Sequence, residues 1–239
     1  VWVVDDTGFP KDGKASACVA RQYSGTLGKV ATCQIAVSVH AATDTASAVL
    51  NWRLFLPESW DEDCVPGPDG KPTNPHARRL RQQPVTLDQA GAKKPHPRVR
   101  LPREAQIDQI RRRRAASKVP DTQRYRPTWL MALEMLDELA AWGLPPPLLT
   151  ADAGYGQVAE FRQGLTERGI AYIVATTSST TAQPVQVPYA GVGPHPTRRY
   201  PHPARSLKDL ALAHGADTAR RVVPDYPHPT APRSGLPAN

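Results

Sequence analysis

The sequence predicts an α/β fold: one mixed sheet in which three antiparallel strands are followed by alternating helix and strand. Three observations carry this. Alternating runs at 33–41 and 48–57 follow the opening apolar run VWVV closely, the pattern of an antiparallel meander. From Thr128 the apolar spacing turns helical, and strand-like and helical stretches then alternate. The 26 prolines in 239 residues cluster, ten in 64–127 and eleven in 183–239. Those two segments therefore read as a basic Pro-rich insert and an irregular, incomplete C-terminal tail, leaving 1–63 and 128–182 as the core.

The first strand is the β-branched and aromatic run Val1–Val4, which stops at Asp5 and Asp6 with Gly8 and Pro10 supplying a turn. Side chains alternate, so Asp5 shares a face with Val1 and Val3, and Asp6 with Trp2 and Val4. Only one of them can face a given site. Taken alone, such an aspartate is more often a turn cap than a catalytic group.

Cys33–Ala41 forms the second strand. In the third, 48–57, Leu50, Trp52, Leu54 and Leu56 alternate with Asn51, Arg53 and Phe55. Residues 58–127 are irregular apart from a short basic helix around 103–118. The next helix starts after Pro127 and Thr128, lines one face with Trp129, Leu133, Leu136 and Ala140, and ends at Gly143. Leu148–Ala151 is a short buried strand that ends at Asp152. A glycine turn, Gly154 and Gly156, leads into a helix carrying Val158, Phe161 and Leu165. Gly169 closes that helix, and Ala171–Ala175 is the fifth strand. Three antiparallel strands, then helix, strand, helix, strand, in one helix-covered sheet, is the layout of a ribonuclease H-like domain.

Charge is uneven. Residues 64–127 hold 16 Lys/Arg against 5 Asp/Glu, in a chain of net charge +8. A basic excess that includes Arg111, Arg112, Arg113 and Arg114 is the footprint of a polyanion, nucleic acid foremost, although a solvated basic segment accounts for it equally well. Arg21, Lys29 and Arg53 are further candidates for phosphate contacts, with ordinary surface charge as the alternative. Three cysteines without CxxC spacing indicate neither a disulfide framework nor a zinc site. No run of about 18 apolar residues exists, so no membrane is expected, and the reading is cytoplasmic. A first residue other than Met suggests a fragment.

Asp152 has the same address as Asp6, the end of a buried strand before a glycine turn. In this layout the two strands are neighbours, so the carboxylates meet. Two carboxylates side by side call for a cation, and hard oxygen ligands without nearby Cys or His select Mg²⁺ or Mn²⁺. A pair of such ions can activate a water or a 3′-hydroxyl against a phosphodiester. A polar cap on the following helix is the plainer role for Asp152. His40, at a strand end, reads as a satisfied edge histidine. No GxxxxGK[ST] loop or nucleophile elbow supports an NTPase or serine hydrolase.

The strings DDTGFPK (5–11), ARQYSGTLGK (20–29), NWRLFLPESW (51–60), ALEMLD (132–137) and ADAGYG (151–156), with PHPARSLKDLALAHG (201–215), resemble the DDE transposases of bacterial insertion sequences, in the insertion-sequence 701 branch. The resemblance implies a ribonuclease H-like fold and Mg²⁺-dependent (or Mn²⁺-dependent) cleavage and strand transfer. It implies double-stranded DNA, transposon ends and target, as partner, a homodimer on DNA, and a nucleoid-associated location. Asp6 becomes the first catalytic and metal-binding carboxylate and Asp152 the second, with Asp5 a bystander. The family's third carboxylate, a glutamate, has no match here, and 64–108 reads as an insertion. Truncation or frameshift is therefore expected, with an inactive isolated chain. Glu160 and Glu167 read as solvent-facing helix residues. A catalytically inactive DNA-binding remnant and a structural module with unused aspartates are the competing readings.

Overall fold

The structure, a computed structural model, describes residues 1–13, 15–80, 101–182 and 203–215. It divides into two units, Val1–Thr176 and Thr177–Asn239.

The first unit is a six-stranded mixed sheet with helices. Its strands are β1 (Trp2–Pro10), β2 (Ala20–Ser24), β3 (Lys29–Ala42), β4 (Ser47–Leu54), β5 (Leu149–Ala151) and β6 (Tyr172–Val174). The sheet order is β2-β3-β1-β5-β6, with β4 also paired to β3. All pairings among β1 to β4 are antiparallel, and β1–β5 and β5–β6 are parallel. The helices are α1 (Pro75–Leu80), α2 (Arg103–Ala116), α3 (Thr128–Ala141), α4 (Ala153–Gly156) and α5 (Ala159–Glu167).

The order expected from sequence is present, with four differences. Strand β1 does not stop at the aspartates: it runs on through Gly8 to Pro10, paired with β3 from Trp2↔Ala41 to Pro10↔Cys33. Pairing with β3 carries the strand through Gly8, and a residue without a Cβ fits there because a Cβ would stand 2.5 Å from the Ser24 Oγ. A fourth antiparallel strand, β2, comes from ARQYS, where no apolar alternation announces it. Strand β4 turns over the expected faces. Trp52 and Leu54 are exposed, while Arg53 points at α3 and pairs with Glu134 at 2.7 Å and with Glu138. Ion pairing thus selects the inward face of this edge strand, and a register shift opposite Val39 and His40 leaves Leu50 packed on the core. In the fourth difference, the glycine turn after Asp152 is the helical turn α4.

The main core gathers Trp2, Val4, Val37, Val39, Leu149 and Ala151 from one sheet face against α3 and α5. Helix α3 buries Met131, Ala132, Leu133, Met135, Leu136 and Leu139. Its inner face is therefore centred away from Ala140, which is exposed. Each large side chain withdrawn from water contributes about 1.5–3 kcal/mol. Helix α5 packs on α3 through Gly164, where a Cβ would stand 2.4 Å from Leu133 Cδ1.

The described part of the basic segment packs around a second core of Cys18, Leu56, Trp60, Cys64, Ala77 and Tyr125. Asp61 is fully buried there and accepts from Tyr125 N at 2.8 Å and Asn74 Nδ2 at 2.9 Å. Residues 81–100 lie outside the described residues. All three cysteines are free and buried, and burial raises the Cys18 thiol to about 11.

In the second unit, β7 (Thr181–Ala182) pairs with β8 (Arg205–Ser206), and α6 (Leu207–His214) follows. Ser206 caps α6 by accepting from Asp209 N at 3.0 Å, so part of the tail is regular. No helix among the described residues is long and apolar enough to cross a membrane.

Candidate active site

The sheet explains how Asp6 and Asp152 come to the same place. Strand β5 pairs with β1 only over Trp2–Val4. Past Val4 one edge of β1 is no longer covered by β5, and Asp6 lies on the helix-covered face two residues further on. Asp152 directly follows β5. Both carboxylates therefore stand where the parallel pair ends, and each lies close enough for its charge to act on the other's surroundings.

Their environments differ. Asp152 is exposed and is the N-cap of α4. Its Oδ1 accepts from Gly154 N at 2.9 Å and from Tyr155 N at 3.3 Å. The plain capping role read from the sequence is thus present, and both of these bonds fall on one oxygen. Asp6 is half-buried, and its Oδ1 accepts from the Tyr155 hydroxyl. Burial pushes its pKa up to about 6; the Tyr155 bond works against the rise, and the charges of Asp5 and Asp152 add to it. A desolvated carboxylate facing other carboxylates is a group that a cation would stabilise. This donor chemistry fits a hard divalent ion, with Asp6 and Asp152 as its holders. Among the described residues no group of three or more His, Cys, Asp or Glu is placed to hold a metal.

Asp5 is exposed, on the opposite face of β1, and its Oδ1 takes the N–H of Asp6. His40 bonds Ser38 Oγ at 3.0 Å and Ser47 Oγ at 3.4 Å on that opposite face. Glu160 is half-buried and Glu167 exposed on α5. The sequence reading passes over Tyr155. Its one signal is an aromatic residue with a polar tip three places after a candidate acid, in a stretch otherwise of Ala and Gly.

The basic candidates separate. Arg21, Lys29 and Arg112 are exposed. Arg53 is engaged with α3, as described. Arg111 pairs with Glu62 at 2.6 Å. Arg113 lies over the Trp60 ring, 4.0 Å from its centroid, and donates to Ser59 O. Arg114 is buried and donates to the carbonyls of Trp60 at 2.9 Å, Pro120 at 2.6 Å and Gln123 at 2.7 Å. Much of the RRRR run therefore fastens α2 to the second core.

The first unit is thus a mixed-sheet α/β unit with Asp6 and Asp152 standing where two parallel strands end. The family profile of the DDE superfamily endonucleases matches residues 1–226, and the chain belongs to that family. No curated protein and no solved structure matches the chain. The family places it among transposase-type nucleases acting on DNA, and its sheet is consistent with their ribonuclease H-like fold.

Proposed function

We propose that the chain is the catalytic part of a DDE transposase of insertion-sequence type, a kind of enzyme that cuts and joins DNA at transposon ends, with Asp6 and Asp152 as two of its three metal-binding carboxylates. The observation that carries this reading is their joint position at the end of the β1–β5 pair, with Asp6 desolvated and Asp152 open to solvent. Bound Mg²⁺ or Mn²⁺ would supply Lewis-acid activation of the attacking oxygen and charge neutralisation at the phosphate. The chain's own groups do the rest. Asp6 is ionised above about pH 6 and ready to take a ligand role. The α4 N–H groups fix Asp152, and Arg21, Lys29 and Arg112, being exposed, are the basic candidates left to meet DNA phosphates. A homodimer on double-stranded DNA belongs to the same reading.

The test is nicking and strand joining on cognate end DNA at millimolar Mg²⁺, with Asp6→Asn and Asp152→Asn as controls. Cleavage abolished by either substitution supports the transposase reading. DNA binding without metal-dependent cleavage, unaffected by both substitutions, supports an inactive DNA-binding remnant instead.

A further inference from the structure

We propose that Tyr155 is a positioning residue for both carboxylates: it engages one oxygen of Asp6 and one of Asp152, so that each presents a single oxygen to the ion. The inference rests on the reading of Asp6 and Asp152 as metal ligands. Tyr155 reaches the two acids by different means. Its phenol hydroxyl donates to Asp6 Oδ1, and its backbone N–H, with that of Gly154, goes to Asp152 Oδ1.

The tyrosine is itself held in place. It is 3% exposed, and its ring is tilted against Phe161 at 5.4 Å between centroids. Gly156, in the same turn, is pressed against the Ala175 carbonyl. The hydroxyl therefore meets Asp6 from a fixed direction.

An Asp carboxylate otherwise turns broadly about χ2. With one oxygen hydrogen-bonded, Asp6 is left to bind through the other. Asp152 is restricted in the same way by its cap. Single-oxygen carboxylates suit Mg²⁺ and Mn²⁺, which keep octahedral geometry and several waters, whereas Ca²⁺ readily takes both oxygens of one carboxylate. Tyr155 would thus tune the site toward the smaller ions. Groups one step behind metal ligands commonly carry this kind of control.

The test is calorimetric titration of the 239-residue chain with Mn²⁺ alone and with Ca²⁺ alone, comparing wild type with Tyr155→Phe, and with Asp6→Asn and Asp152→Asn alongside. Tyr155→Phe is expected to lose about tenfold in Mn²⁺ affinity and less than about twofold in Ca²⁺ affinity, collapsing the preference between them. An equal loss for both ions, or none for either, overturns the positioning role. If both Asn variants bind Mn²⁺ as wild type does, the metal reading falls and this inference with it. If they lose binding while Tyr155→Phe keeps it, only the inference falls. Should Tyr155→Phe not fold, infrared difference spectra of wild type with and without Mn²⁺ decide. Widely separated carboxylate stretches, absent from Asp6→Asn, mark single-oxygen binding, and a narrow bidentate separation overturns the proposal.

Discussion

Gly156 lies so close to Ala175 that a Cβ on it would stand 1.9 Å from the Ala175 carbonyl oxygen. That oxygen belongs to backbone just past β6, held by the Ala175 N–H bond to Ala151 O at 3.0 Å, so no flexible side chain can yield. Gly156→Ala is expected to destabilise the fold by on the order of 2–4 kcal/mol. Gly25→Ala, with nothing within 4 Å of the new methyl, is the control. Urea denaturation of both checks this, and a Gly156→Ala loss no larger than that of the control would refute the packing argument.

Asp6 makes the metal-free fold weaker as pH rises. Its folded pKa of about 6 exceeds the ordinary 3.8. The protonated form is thus favoured in the folded state, and that stability is fully present below about pH 4 and lost as pH rises through about 6. Asp6→Asn, which cannot ionise, should be more stable than wild type by about 1–3 kcal/mol at pH 7.5 without metal. At pH 3.5 the difference should vanish. Denaturant midpoints at the two pH values are the measurement, and an advantage that persists undiminished at pH 3.5 would sink the assignment.

The four consecutive arginines should behave unlike one another. Arg114→Ala strands the carbonyls of Trp60 and Gln123, since Pro120 O keeps the Gln123 N–H, and leaves a hole under α2, at a cost of about 3 kcal/mol. Arg112→Ala should leave stability within about 0.5 kcal/mol. In a DNA-binding assay over a salt series, Arg112→Ala should reduce the log–log salt slope by about 1 if that residue neutralises a phosphate. Equal thermal midpoints for the two variants would contradict the burial of Arg114.

Arg53 ties β4 to α3, so its replacement should act on the fold first. The pair with Glu134 is partly exposed, with side-chain exposures of 23% and 30%. Arg53→Ala should therefore cost only about 1 kcal/mol. Glu134→Gln should cost a comparable amount, and the double change less than the sum. Strictly additive losses in a double-mutant cycle would show that the two residues do not interact.

The sequence made β3, α3, β5 and β6 legible because each couples an apolar run or period to a stop, whereas α2 stood out only as a charged stretch free of Gly and Pro after Pro102. It made β2 illegible because Arg21 and Tyr23 are exposed and Ala20 and Gln22 only half-buried, which leaves ARQYS without alternation. Gly8 and Pro10 read as a turn because punctuation by composition ignores what lies beneath. Pairing with β3 runs through both residues, with Ser24 close under Gly8 and Pro10 as the final strand residue. Outward Trp52 and inward Arg53 reverse a simple hydrophobic reading, since Glu134 and Glu138 on α3 lie far away in sequence. That Asp6 and Asp152 stand where neighbouring parallel strands end was readable from strand position. Tyr155 was not, because its role comes from the partner its hydroxyl finds across the sheet.

Asp6 and Tyr155 are 149 residues apart in the chain. At a synthesis rate of roughly 5–20 residues per second, about 7 to 30 seconds separate their appearance on the ribosome. During that interval β1 can pair with β3, since the antiparallel strands are local, but β5 does not yet exist. The nascent chain therefore carries its first acid unpartnered, and the β1–β5 ladder closes late, over a large loop. On the proposed reading, a centre assembled this way stays incomplete until most of the chain is made, so translation itself sets the earliest moment at which it can act.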